Sequence, residues 1–187
     1  MNAKNLVKGT FIGTLVLFLY GATEWFNPFI HQVYHSPKSN EEVSQVLLKN
    51  MPENGVYIWP NGGDAQHKSE MDIIYFISKQ DPSFYNPFKF MAGQLLINLV
   101  LWFLITALLF KAKIESHPER VLFITIIGIV AGLSYLIPMW NWWGFSTEYV
   151  LMRWGNMLIG WSLAGTAVSW FLRSAFLPKL NLTPNLA

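Results

Sequence analysis

The chain has 187 residues, of which 52% are hydrophobic and only 13% are charged. A soluble globular domain carries about 25% charged residues, and disorder needs low hydrophobicity, so the composition excludes a disordered chain. The net charge of +2 and the lack of a basic run exclude nucleic acid as a partner. The absence of cysteine excludes disulfides, thiolate metal sites and a cysteine nucleophile.

Four apolar segments predict four membrane-spanning helices, because each is long enough to cross the hydrocarbon of a bilayer, which takes about 20 residues. Two segments carry no charge, the first contains only Glu24 and the last only Arg153; the segments are residues 9–30, 90–110, 121–147 and 149–172. An alternative has three spans, with one segment cleaved as a signal peptide or lying at the interface. Cleavage is disfavoured because Tyr20 stands where a small residue is needed before the site.

Lysine and arginine near the helix ends predict the orientation. They precede the first segment, fill the link between the second and third, and follow the fourth, as Lys4, Lys8, Lys111, Lys113, Arg120, Arg173 and Lys179. The link between the third and fourth segments, residues 140–148, has neither residue type. The positive-inside rule then places both termini in the cytoplasm and residues 31–88 outside.

The outer segment predicts a small αββ unit. Ser39 and Glu42 form a capping box ahead of apolar residues at helical spacing, which predicts a helix that ends near Pro52. Gly55–Trp59 and residues 72–78 are rich in β-branched and aromatic side chains, which predicts two strands. Such a unit is too small to be very stable alone, so we expect it to rest on the helix ends or on a partner.

Three stretches together resemble a family of small, functionally uncharacterised bacterial inner-membrane proteins with four helices. They are GVYIWP at 55–60, NWWGFS at 141–146 and IGWSLAG at 159–165, and the resemblance covers most of the chain. It implies a bacterial inner-membrane protein and no particular activity. Members of that family carry an acidic residue near the position of Asn156, so the resemblance implies that a charge pair is missing here.

Polar residues gather in the outer halves of the predicted helices. Charges inside a membrane are costly, and Glu24 and Arg153 are predicted at similar depth on helices that run in opposite directions, which predicts an ion pair. We define the polar cluster as the six candidate ligand-binding residues Glu24, Asn27, Gln94, Asn98, Arg153 and Asn156. It predicts either an outward-facing pocket or ordinary hydrogen bonds between helices, and the latter is favoured.

Other motifs have structural explanations beside functional ones. Trp140, Trp142 and Trp143, the aromatic shelf, are typical of a membrane boundary, with an apolar ligand site as the alternative. Two G-x-x-x-G motifs, at residues 9–13 and 128–132, are typical of close helix packing. His31 and His35 are weak metal candidates, which would share a face only on a continuous helix.

The sequence therefore predicts an α-helical integral membrane protein, a four-helix transmembrane bundle with an extracytoplasmic αββ segment between helices one and two. The predicted division is a cytoplasmic N-terminus and first helix (1–30), the αββ segment (31–88), helices two to four (89–178) and a cytoplasmic tail (179–187). The favoured function is a non-catalytic one through contact with lipid, a partner protein or another copy, with no catalytic residue, cofactor or bound metal expected. The alternative is a ligand sensor or small transporter that uses the polar cluster.

Overall fold

The computed structural model describes residues 2–24, 26–59 and 75–173, most of which are helical. The described residues form the elements α1 (Ala3–Glu24), α2 (Pro28–Val33), α3 (Asn40–Asn50), β1 (Gly55–Trp59), β2 (Tyr75–Lys79), α4 (Pro87–Ala112), α5 (His117–Trp143) and α6 (Thr147–Phe171), with a 3-10 turn at Pro82–Phe84.

Three of the helices, α1, α4 and α5, are long and apolar enough to cross a membrane. The structure thus agrees with the coarser prediction of a mostly helical chain, and three of its helices are candidates for membrane spans. The 25 residues of α6 make it as long as the others, but its sequence includes Arg153, Asn156 and several glycines and serines. These residues lower its apolar character, and α6 is not among the three.

The four long helices pack antiparallel, in the order α4, α1, α6, α5. Thr14 contacts Asn98 near the middle of α1 and α4, Lys8 donates to the carbonyl of Phe171 near the end of α6, and Trp140 donates to Thr147 between α5 and α6. The core between them is tightly closed, since its central side chains are at most 2% exposed; they are Trp102, Ile105, Leu109, Ile124, Ala164, Val168 and Leu172.

Glycines on one helix receive large side chains from the next. A Cβ at Gly13 would overlap the indole of Trp102, and one at Gly9 would press against Thr106, so both glycines of the first motif face α4. In the second motif, Gly128 lies against Trp161 and Gly132 against Trp154. The two predicted packing seams are therefore confirmed, and a bulky aromatic side chain occupies the space at three of the four glycines.

The first helix is shorter than the apolar run that predicts it. The run continues to residue 30, but α1 ends at Glu24 and α2 begins at Pro28. Proline cannot donate a backbone hydrogen bond and disfavours helical geometry in the residue before it, so it occupies the first turn of a new helix. The expected boundary between the first helix and the outer unit, at residue 30, thus lies within α2. This short helix lies between α1 and the αββ unit.

The αββ unit forms as predicted, with small shifts. The Ser39 hydroxyl accepts the backbone N–H of Glu42 and caps α3, and β1 coincides with the expected strand. The second strand was expected at 72–78, but β2 runs over Tyr75–Lys79, because Lys79 pairs with Gly55 and its ammonium reaches the carbonyls of Met51 and Pro52. Residues 60–74, which include the first three positions of the expected second strand, lie outside the described residues.

Local hydrogen bonds and backbone geometry determine where α4 begins and where α5 ends. Hydrogen bonds from the hydroxyl and the backbone N–H of Ser83 to Asp81 lower the pKa of the Asp81 carboxyl and fix the turn before α4. Asn86 then caps α4 by accepting the N–H groups of Phe88 and Lys89. Gly144 ends α5 in the left-handed region, with φ of 66°, which lets the chain reverse into α6 within four residues.

Candidate functional site

Glu24 and Arg153 form an ion pair between α1 and α6, as the sequence predicted. A guanidinium nitrogen of Arg153 lies 3.1 Å from a carboxylate oxygen of Glu24. The Arg153 side chain is 42% exposed and that of Glu24 is 21% exposed. Because Glu24 is the last residue of α1, the pair lies at the end of this helix. It is reachable from outside the bundle.

Asn156 follows Arg153 by one turn on α6. Its side-chain nitrogen is buried and has no acceptor among the described residues. One further turn along, Gly160 packs against Leu17 and Tyr20 of α1, so this side of α6 faces α1 throughout. The amide therefore lies inside the α1–α6 contact and has little access to a ligand.

Gln94 and Asn98 form a second, separate polar pair. The Gln94 amide donates to the Asn98 side chain at 3.0 Å, and the backbone carbonyl of Asn98, which is 2% exposed, accepts the Thr14 hydroxyl at 3.2 Å. Thr14 and Glu24 are ten positions apart on α1, about 15 Å at 1.5 Å per residue. The Gln94–Asn98 pair therefore lies at a different depth from the Glu24–Arg153 ion pair.

Asn27 lies close to Glu24, but not on the same helix. Its backbone N–H donates to the carbonyl of Glu24 at 3.0 Å, within the turn that joins α1 to α2. The polar cluster therefore divides into an outer group around the ion pair, with Asn27 and Asn156 near it, and the Gln94–Asn98 pair near the middle of α1 and α4.

The aromatic shelf at the end of α5 is partly structural. The Trp140 indole donates to the Thr147 hydroxyl at 3.2 Å and so braces the link to α6. Trp143 contacts Phe76 of β2, with ring centroids 5.2 Å apart. Trp142 is 78% exposed. Beside these rings is a shallow apolar depression, lined by Ile137, Trp140, Thr147, Val150 and Leu151.

The weak metal candidates do not lie on one helix. His31 lies in α2, which ends at Val33, so His35 falls beyond it and the continuous helix that the pair needs is not formed. Among the described residues there is no group of three histidine, cysteine, aspartate or glutamate side chains close enough to hold a metal ion.

A buried polar network at the opposite end of the bundle was missed from the sequence. Arg120, 2% exposed, donates to Ser169 Oγ at 2.7 Å and to the carbonyls of Ile114 and Glu115, while His117 Nδ1 lies 2.7 Å from the same Oγ. Ser169 is fully buried, and the network ties the α4–α5 link to the end of α6. The three-residue spacing of His117 and Arg120 places them on one side of a helix and was the available signal for this network. Their common partner, Ser169, lies 49 positions after Arg120 and has no such local signal.

Comparison of the chain with protein-family models, with characterised proteins and with solved structures gives no match. The Glu24–Arg153 ion pair is partly exposed, whereas Asn98 of the second polar pair is buried.

Proposed function

We propose that the protein is a four-span membrane protein of the bacterial inner membrane, with both termini in the cytoplasm, that acts without catalysis through contact of its αββ unit with a partner protein or lipid. The observation that carries the proposal is that this unit does not bury its own apolar surface. The four apolar side chains of α3 are Val43, Val46, Leu47 and Leu48, and no residue of α3 is buried.

The apolar side chains of α3 are too exposed for a unit that functions by itself. Val43 is 41% exposed, Val46 60% and Leu48 62%. A two-stranded hairpin is marginally stable in water, and exposed apolar patches commonly mark sites of contact with proteins or membranes. Contact with another surface would cover these side chains and stabilise the unit.

The packing of α6 supports a fourth span. It lies antiparallel along α1 from the Glu24–Arg153 pair at one end to the Lys8–Phe171 contact at the other. Seven of its residues are buried, so much of its surface faces α1 and α5, and it needs less apolar character toward lipid. A span of 25 residues at 1.5 Å per residue is about 37 Å, enough to cross the hydrocarbon.

The orientation can be tested on the full chain because it has no native cysteine. A single cysteine at Glu41 in α3 should react with a membrane-impermeant maleimide in intact cells. A cysteine at Lys111, at the other end of α4, should react only after the membrane is opened. The reverse pattern would contradict the orientation, and labelling of both in intact cells would contradict a membrane crossing by α4 between the two positions.

The contact function can be tested with a photo-reactive amino acid in α3. Placed at Val43 or Val46, it should capture one defined partner, either a protein identified by mass spectrometry or a phospholipid. Gln45 lies on another side of α3 and provides the matched control position. Equal capture from Gln45 and Val46, or none from Val43 and Val46, would contradict the proposal.

A ligand-sensing or transport function is the second candidate. It is favoured by the partial exposure of the Glu24–Arg153 pair, which a zwitterionic solute could replace by pairing with both charges. The closed core opposes transport, since Trp102, Leu109 and Ile124 are fully buried between the helices. Stabilisation of the protein by zwitterionic solutes, lost in Glu24→Gln and Arg153→Gln together, would favour sensing over contact.

A further inference from the structure

The β-hairpin has two faces of different character. In an antiparallel pair, directly opposite residues lie on the same face, and Ile58 is opposite Phe76 while Val56 is opposite Ser78. We call Val56, Ile58 and Phe76 the apolar hairpin face. It includes no charged position, and the three side chains are 61%, 39% and 40% exposed respectively.

The other face is held by the chain that follows α3. The Tyr57 hydroxyl donates to the carbonyl of Glu53, and the Lys79 ammonium donates to the carbonyls of Met51 and Pro52. Tyr57, Ile77 and Lys79 are half-buried. This face is therefore held by the α3–β1 link at one end, and at the other end it carries the stacked rings of Trp59 and Tyr75, which are 45% and 43% exposed.

The apolar hairpin face is turned toward the end of the bundle. The Phe76 ring contacts Trp143, the last residue of α5, and Phe145 in the link to α6, with centroids 5.2 Å and 6.4 Å away. Trp140, Trp142 and Trp143 have the position and the exposure of an aromatic belt, which marks the level of lipid headgroups. The apolar hairpin face continues that belt outward from the helix ends.

We infer that the apolar hairpin face, Val56, Ile58 and Phe76, lies against the surface of the surrounding lipid bilayer. Phe76 contacts Trp143 at the end of α5, one of the three helices long and apolar enough to cross a membrane, so Val56 and Ile58 on the same face lie near the level where lipid would surround that helix end. The inference rests on the proposed position of the αββ unit at the membrane surface and names lipid as the contact of this face.

The test uses single nitroxide labels on the full-length protein in nanodiscs of phosphatidylcholine and phosphatidylglycerol. Labels at Val56→Cys and Ile58→Cys should collide readily with oxygen, which enters lipid. They should collide about fivefold less with a polar nickel chelate than a label at Glu41→Cys, because a polar solute partitions poorly into apolar surroundings. Val130→Cys, 56% exposed on α5, is the lipid-facing reference.

Two results would overturn the inference. Collision rates at positions 56 and 58 that match those at position 41 would mean that the face lies in water. Low rates with both reagents would mean that protein, either a partner or a second copy, covers it. Bimane at the same two positions should also be quenched by lipids brominated in the acyl chain and not by iodide, a readout that does not depend on the nitroxide.

Failure of this inference is distinguishable from failure of the proposed function. Labelling of Glu41→Cys from outside intact cells tests the orientation, and photo-capture from Val46 tests the contact function of α3. Lipid-like collision rates at positions 56 and 58 with no labelling of position 41 would leave the lipid contact intact and refute only the orientation.

Discussion

At the scale of single residues, the Glu24–Arg153 pair joins positions 129 apart in the sequence. Both side chains are partly exposed, so solvent and headgroups weaken the attraction, and the pair contributes less than a charge pair at the centre of a bilayer. Its main structural effect is to fix the register of α1 against α6.

We predict that Glu24→Gln and Arg153→Gln each lower the free energy of unfolding by about 1 kcal/mol, because each leaves one charge at the membrane edge without its partner. The double variant should lose less than the sum of the two single losses. Thermal unfolding of the four proteins in detergent measures this cycle. Strictly additive losses would show that the two residues act separately.

A second prediction concerns the buried network at the other end of the bundle. Ser169→Ala should cost about 1–2 kcal/mol, because it leaves the Nε–H of Arg120 without the hydroxyl that lies 2.7 Å away in a buried site. The control is Thr166→Ala on the same helix, whose exposed hydroxyl donates to the carbonyl of Ser162. Equal melting temperatures for the two variants would contradict a structural role for Ser169.

At the scale of helices, the glycines determine how closely the bundle packs. α1 contains one glycine that faces an indole and another, Gly21, whose Cβ position has no atom within 4 Å. The same sequence change at these two positions therefore separates a packing effect from a general effect of glycine on the helix.

We predict that Gly13→Ala destabilises the bundle by about 1–3 kcal/mol, since the added methyl would force Trp102 out of its place against α1. Gly21→Ala should be neutral or slightly stabilising, because alanine favours the helix and meets no neighbour. Guanidinium or thermal denaturation of both variants gives the comparison. A loss at Gly21 as large as that at Gly13 would mean that steric overlap with Trp102 is not the cause.

At the scale of the whole molecule, the bundle and the outer unit differ in how well they are packed. The bundle core is closed, whereas the αββ unit has no buried residue in α3 and contacts the bundle through Phe76, Trp143 and Phe145, with Tyr34 and Tyr149 meeting nearby at 5.8 Å. Local opening free energies follow such differences, so the outer unit should open well before the bundle unfolds.

We therefore predict that Phe76→Ala increases amide hydrogen exchange in β1 and β2 by about tenfold, corresponding to the loss of roughly 1.4 kcal/mol of ring packing, while the melting temperature of the bundle stays unchanged. Tyr85→Ala, in the link before α4 and 75% exposed, is the matched aromatic control. An equal fall in bundle stability would indicate that the two parts unfold as one.

The amino-acid sequence by itself determined the apolar, mostly helical character of the chain, the positions of the long helices, the αββ unit and its capping residue Ser39. These features depend on local composition, on hydropathy over about 20 residues and on short capping and strand patterns, which need no knowledge of distant contacts. The opposed directions of α1 and α6 also followed from the topology, and with them the pairing of Glu24 with Arg153.

Apart from the Glu24–Arg153 pair, only the tertiary structure decided which polar residues meet. Thr14 rather than Glu24 lies beside Asn98, because the rotation and axial shift of α4 are set by the fit of Trp102 against Gly13. The Arg120–Ser169 contact depends in the same way on how α5 and α6 align over their whole lengths. Such alignment comes from side-chain shapes summed over two helices, and an angular error of one residue, about 100°, turns a side chain from the core to the lipid.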